Sequence, residues 1–196
     1  MISPVSRAII LHGRPGKDDE YFTDAYPSAS NSHWIPWLQN QLLIAGHDAQ
    51  TPEMFNAFQP DYPIWQSEFG RYLADDPMIL VGHSAGAGFL VRWLSEHPKV
   101  RVNKLMLVAP WLDPDDKLGN DFFDFSIDQS LAERVGELHI FSSTDDDADI
   151  TNSVDTLLEQ LPSSTHHRYT NMGHFRFKDM KTDAFPDLLK AIVATS

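Results

Sequence analysis

A chain of 196 residues, 42% of them hydrophobic, is long enough to bury a substantial core, and no apolar run reaches the ~18–20 residues of a membrane-spanning helix. Cysteine is absent, which excludes disulfides, zinc–thiolate sites and cysteine nucleophiles. The net charge of −13, from 28 acidic against 15 basic residues, would repel nucleic acid and anionic membrane, so neither is expected as a partner.

The first residues, Met1 to Ser6, lack the basic n-region and the cleavage site of a secretory leader, so a cytoplasmic location is expected. From there, short apolar runs alternate with longer segments of helical period, without repeats or linkers, which predicts one domain over 1–196. A strand is predicted at 7–11. It runs straight into His12-Gly13 and leaves no room upstream for an antiparallel hairpin, so a trimmed core is expected. A helix at 33–45 carries Trp34, Trp37, Leu38, Leu42 and Leu43, with Pro36 acceptable in its first turn. A strand at 47–51 and a helix at 64–73 follow, the latter with Trp65, Phe69 and Tyr72 spaced for core packing. Strands at 78–81 and 104–108 are apolar without alternation, as strands covered on both faces should be. A helix at 85–96 separates them. Strands at 138–141 and 167–169, with helices at 151–160 and 184–194, complete an α/β fold: about six mostly parallel strands with helices on both faces.

The chemistry concentrates at the ends of these strands. Gly82-His83-Ser84-Ala85-Gly86 stands directly after the buried-type strand and directly before a helix. A serine there occupies a sharp strand-to-helix turn at the start of a helix whose dipole favours developing negative charge. Such a turn is the nucleophile elbow of the α/β-hydrolase fold, and it makes Ser84 the candidate nucleophile. A serine hydroxyl needs a base, and in this fold the acid and then the histidine follow in chain order. Asp145-Asp146-Asp147 comes after the strand at 138–141, and Gly173-His174 after the last strand. His174 is the predicted base. His166 and His167 lie at the start of a strand rather than past its end, and His33, His47, His97 and His139 lack metal-ligand spacing, so no metal is expected.

An oxyanion needs two backbone N–H donors. Ala85, after the nucleophile, should give one, and Arg14, in the loop after the first strand, the other. The stretch from Gly13 to Gly16 is too short for a phosphate-binding loop, and Lys17 is followed by Asp18.

Taken together, Leu11-His12-Gly13, Gly82-His83-Ser84-Ala85-Gly86, Ser143-Thr144-Asp145-Asp146 and Gly173-His174-Phe175 resemble the small serine hydrolases of the retinoblastoma-binding protein nine and YdeN family. The similarity spans nearly the whole chain, including Trp34, Trp37 and Trp65. It implies a compact α/β-hydrolase fold, esterase-like or peptidase-like activity and no cofactor. In that family the acid is the second aspartate after Ser-Thr, which falls on Asp146. Two departures stand out: Asp147 occupies a place where the resemblance leads one to expect proline, and a chain without cysteine cannot carry a Leu-x-Cys-x-Glu motif, so partnership with the retinoblastoma protein does not transfer.

The reading that follows is a serine hydrolase cleaving small esters or related acyl compounds. Its alternatives are a peptidase or amidase with the same triad, or a non-catalytic interaction module that keeps the pocket. Residues 111–130 are too long for a simple turn. They mix Trp111, Phe122, Phe123 and Phe125 with Asp113, Asp115, Asp116, Asp121, Asp124 and Asp128. They read either as an apolar acyl pocket, with His12 nearby, under an acidic rim, or as a solvated loop with its aromatics plugged into the body. The first reading predicts short-acyl or aromatic esters over long fatty ones, and ammonium-bearing esters over carboxylate-bearing ones.

Overall fold

Met78-Ile79-Leu80-Val81 can be a strand only if both of its faces are covered. In the computed structural model, which describes residues 6–16, 27–73 and 78–194, this run lies inside a six-stranded sheet with every side chain buried. The strands are β1 (Arg7–Leu11), β2 (Asp48–Gln50), β3 (Met78–His83), β4 (Val102–Val108), β5 (Val135–Ser143) and β6 (Thr165–Tyr169). Their order is β2-β1-β3-β4-β5-β6, and every neighbouring pair is parallel. Residues 1–5, read against a leader, and Lys17-Asp18, read against a phosphate loop, lie outside the described residues.

The helices are α1 (Ile35–Ile44), α2 (Tyr62–Gly70), α3 (Ala85–Glu96), α4 (Ala148–Gln160), α5 (Phe177–Met180) and α6 (Pro186–Val193). Right-handed crossovers send the chain from β1 outward to β2 over one face, and from β3 towards β6 over the other. Accordingly α1 touches α6 on one side. On the other, α2 and α3 share an aromatic cluster in which Trp65 and Phe89 sit edge-on at 5.5 Å. Residues Ala85 to Leu94 of α3 are all buried, so this helix forms part of the core. Lys104 in β4 ties α6 to the sheet: its Nζ donates to the carbonyls of Ala191 and Ala194 at the helix C-terminus and pairs with Glu137 at 2.9 Å. No helix among the described residues is long and apolar enough to cross a membrane.

Strand order reverses between β1 and β3, and in an open parallel sheet that is where a crevice forms at the carboxyl ends of the strands. The residues that follow β1 there are His12-Gly13-Arg14, and the residue that follows β3 is Ser84.

Candidate active site

Ser84 has φ +52° and ψ −120°, a conformation that neither a strand nor a helix supplies. The turn is pinned from both sides of its peptide. Ser84 N–H donates to the Val108 carbonyl at 2.9 Å, and the Ser84 carbonyl accepts from Ala87, Gly88 and Trp111. Close approach of the β1 loop also demands glycine. A Cβ on Gly86 would stand 2.3 Å from the His12 carbonyl oxygen, and one on Gly13 would stand 2.8 Å from Ser84 Cβ.

His174 lies in the loop after β6. Its Nδ1 donates to Asp146, whose two carboxylate oxygens both lie at 3.0 Å, and the Asp146 side chain is 2% exposed. The arrangement leaves Nε2 as the histidine's remaining site for a proton. Three contacts fix the loop's backbone. The His174 N–H donates to Asp179 at 3.2 Å, the His174 carbonyl accepts from His83 Nε2 at 2.9 Å, and Phe175 is fully buried against Phe185. Burial holds His83 well below the usual histidine range, with the neighbouring His174 acting in the same direction, so its ring is a neutral donor to that carbonyl. Asp145 turns elsewhere: it accepts from the Ser143 hydroxyl and from Gly173 N–H, and the Ser143 hydroxyl is the first cause of its lowered pKa.

Ala85 is the first residue of α3, so its N–H has no acceptor within the helix. At Arg14 the orientation comes from His12. His12 Nδ1 donates to the Gly13 carbonyl at 2.7 Å, while its Nε2 accepts from Met54 N–H at 2.8 Å. Because the Gly13–Arg14 peptide is planar and trans, a carbonyl turned towards His12 points the Arg14 N–H the opposite way. Burial keeps His12 below its ordinary pKa and therefore neutral, as this pair of bonds requires.

Ser84, His174, Gly13 and Arg14 line one cleft of about 520 Å³, walled also by Ser32, His33, Trp111, Lys117, Asp147, Asp149, Ile150, Arg176 and Lys178. That volume suits a small organic molecule. The pocket predicted from residues 111–130 needs correction. Trp111 does line the cleft, but Phe122 is 0% exposed in the core with Tyr62, Trp65 and Phe89. Phe123 sits edge-on to Trp111 and against Gly88, and Phe125 packs on the core, so neither lines the cleft. His12 borders the cleft at 1% exposure with both ring nitrogens engaged, so it shapes the loop and offers no binding group.

The acidic rim is also absent from the cleft. None of Asp113, Asp115, Asp116, Asp121, Asp124 and Asp128 lines it. Asp113 instead accepts from the N–H groups of Lys117 and Leu118, and Asp128 pairs with Arg134 at 2.6 Å. What the segment does contribute is the cation Lys117. Its ammonium pairs at 2.6 Å with Asp149, whose carboxyl burial would raise but Lys117 holds low. Sequence reasoning missed Lys117, Arg176, Lys178, Asp147 and Asp149 as lining residues, and the part played by His83. These residues come from four separate stretches of chain, and only the strand order brings them together.

The model of the family described as Serine hydrolase matches residues 22–189 of this chain. The chain belongs to that family. A curated relative from Bacillus subtilis (strain 168), the hydrolase YdeN, is 27% identical over 160 residues, covering 74% of this chain and 84% of YdeN. The crystal structure of the B. subtilis ydeN gene product superposes with a TM-score of 0.78 at 23% identity, over 96% of this chain and 97% of that one. A methylesterase from Arabidopsis matches with a TM-score of 0.63 at 15% identity, over 96% and 99%. The six parallel strands with helices on both faces are thus those of a small α/β hydrolase.

Proposed function

We propose that this family member cleaves small carboxylic esters through an acyl-enzyme intermediate, with Ser84 as nucleophile, His174 as general base and Asp146 as the group that orients it. The observation that carries this reading is the Asp146–His174 hydrogen bond facing the same cleft as Ser84, which stands on a strained strand-to-helix turn. His174 Nε2 takes the proton of Ser84 Oγ as the oxygen attacks the ester carbonyl. The N–H groups of Ala85 and Arg14 hold the resulting oxyanion, and Asp146 stabilises the imidazolium. The imidazolium then returns its proton to the departing alcohol. Water, deprotonated by the same histidine, attacks the acyl-serine, and as the acyl–oxygen bond breaks the imidazolium returns that proton to Ser84 Oγ, freeing the acid and restoring both groups. A small acyl substrate is the only partner this scheme requires.

The test is covalent labelling with a fluorophosphonate, read by peptide mass spectrometry. The adduct is expected on Ser84, and Ser84→Ala should abolish both labelling and ester hydrolysis. The chain offers its own competitor, because Ser142 Oγ lies 2.7 Å from His166 Nε2 in a second cleft. An adduct on Ser142 would overturn the assignment.

A further inference from the structure

The chain carries a net charge of −13, yet among the described residues the cleft that holds Ser84 is lined by four cations, Arg14, Lys117, Arg176 and Lys178, against two carboxylates, Asp147 and Asp149. Lys117 is neutralised by Asp149. Arg176 Nε pairs with Asp179 at 2.8 Å. Arg14 is engaged differently. Its Nε donates to a neutral acceptor, the Phe58 carbonyl, at 2.7 Å, and its guanidinium carbon stands 5.9 Å from the centre of the Trp111 ring. The Phe58 bond fixes the guanidinium plane through Nε and keeps the Nη1 and Nη2 donors, whose fork fits a carboxylate. The backbone of the same residue points its N–H away from His12, at the position assigned above to the oxyanion. A substrate carbonyl held there lies within one arginine side chain of a positive charge fixed at the cleft wall.

The geometry points to an ester whose acyl chain ends in a carboxylate, with the Arg14 side chain as the group that selects it. This deepens the reading of the site as a serine hydrolase and rests on it for turnover. Charge logic gives the direction: in a molecule this acidic, a neutral or acidic cleft would repel such a substrate, whereas a basic one admits it and refuses cationic analogues. The preference for ammonium-bearing esters drawn from the sequence is therefore reversed.

Two measurements test this independently. The first compares kcat/KM for ethyl hydrogen succinate with that for ethyl butyrate, followed by pH-stat. The anionic ester should be favoured by about tenfold at low ionic strength and by less at high salt, as screening predicts. Arg14→Gln, which keeps the backbone N–H, should bring the ratio of the two esters down towards one. The second measurement is calorimetric binding of the same two esters to Ser84→Ala protein, which needs no turnover. The succinate ester should bind more tightly, and Arg14→Gln in that background should erase the difference. Equal or inverted preference in both measurements overturns the proposal, and a preference that survives Arg14→Gln overturns the assignment to Arg14. Selective binding without hydrolysis of either ester by the unmodified chain would instead sink the hydrolase reading and leave anion selection standing.

Discussion

Asp145 and Asp146 are chemically identical neighbours with different partners. The Ser143 hydroxyl and Gly173 N–H hold Asp145 in the turn, whereas Asp146 receives His174 Nδ1. Asp146→Asn should therefore present the imidazole with the wrong hydrogen-bond partner and lower kcat by about 10⁴, the size known for the equivalent change in a serine protease triad. Asp145→Asn should lower kcat by less than about tenfold, because it leaves His174 its acceptor. Steady-state kinetics on the two variants checks this, and a reversed order would shift the acid by one residue. Composition and spacing narrow the acid to this aspartate run, and family resemblance points to Asp146. Neither could separate the neighbours physically, since the choice depends on which carboxylate the Ser143 hydroxyl captures. His83 was invisible in the same way: inside the motif it is only the residue before the serine, and its bond to the His174 carbonyl spans 91 positions of chain.

At the level of elements, the loop that carries His174 is built like a plug. Gly173 and Phe175 both have positive φ, and Phe175 drives its ring between Tyr169 of β6 and Phe185 beside α6, with centroids 5.8 and 5.4 Å away. Phe175→Ala should cost about 3–5 kcal/mol of stability by emptying a filled core site. Phe175→Leu should cost less, and midpoints of denaturant unfolding measure both. Elements of this kind differ in how far sequence reveals them. The helix predicted at 85–96 and the strand at 7–11 match α3 and β1 end to end, because buried apolar runs bounded by glycine or charge leave little choice of register. The strands predicted at 138–141 and 167–169 extend to Val135–Ser143 and Thr165–Tyr169. Their added residues are largely polar, and pairing with a neighbouring strand decides their state. The short α5 and the 3-10 turns at Ala29–Asn31, Asp121–Phe123 and Gln129–Arg134 carry too few residues for any period to be read.

Across the whole molecule, two buried neutral histidines link folding to pH. Burial lowers the pKa of both His12 and His83 from the ordinary value of 6.5. In the unfolded chain they take up protons as pH falls below about 6.5, while in the native state they resist, so the unfolded state binds more protons there. Their contribution to stability is complete above about pH 6.5 and drains away as pH falls towards their native values, by up to about 1.4 kcal/mol per pH unit for each. The melting temperature should accordingly drop between pH 7 and pH 5, and His83→Gln should flatten that slope. An unchanged slope in the variant would mean that His83 does not stay neutral. The same balance explains why the cleft's sign could not be read from composition. A net charge sums over the entire surface, but most of the aspartates of residues 111–130 spend their charge on local turns, or face away from the cleft.

The turn at Ser84 has a consequence for how such a chain can change over generations. A side chain with a Cβ held at positive φ costs about 1–3 kcal/mol, and glycine escapes most of that penalty. Ser84→Gly should therefore melt at a higher temperature than Ser84→Ala, which keeps the Cβ, and scanning calorimetry of the pair would show it. Selection for folding alone thus runs against the serine, and only demand for the nucleophilic role proposed for it retains it. A lineage released from that demand would have a single stabilising substitution between an enzyme and an inert fold.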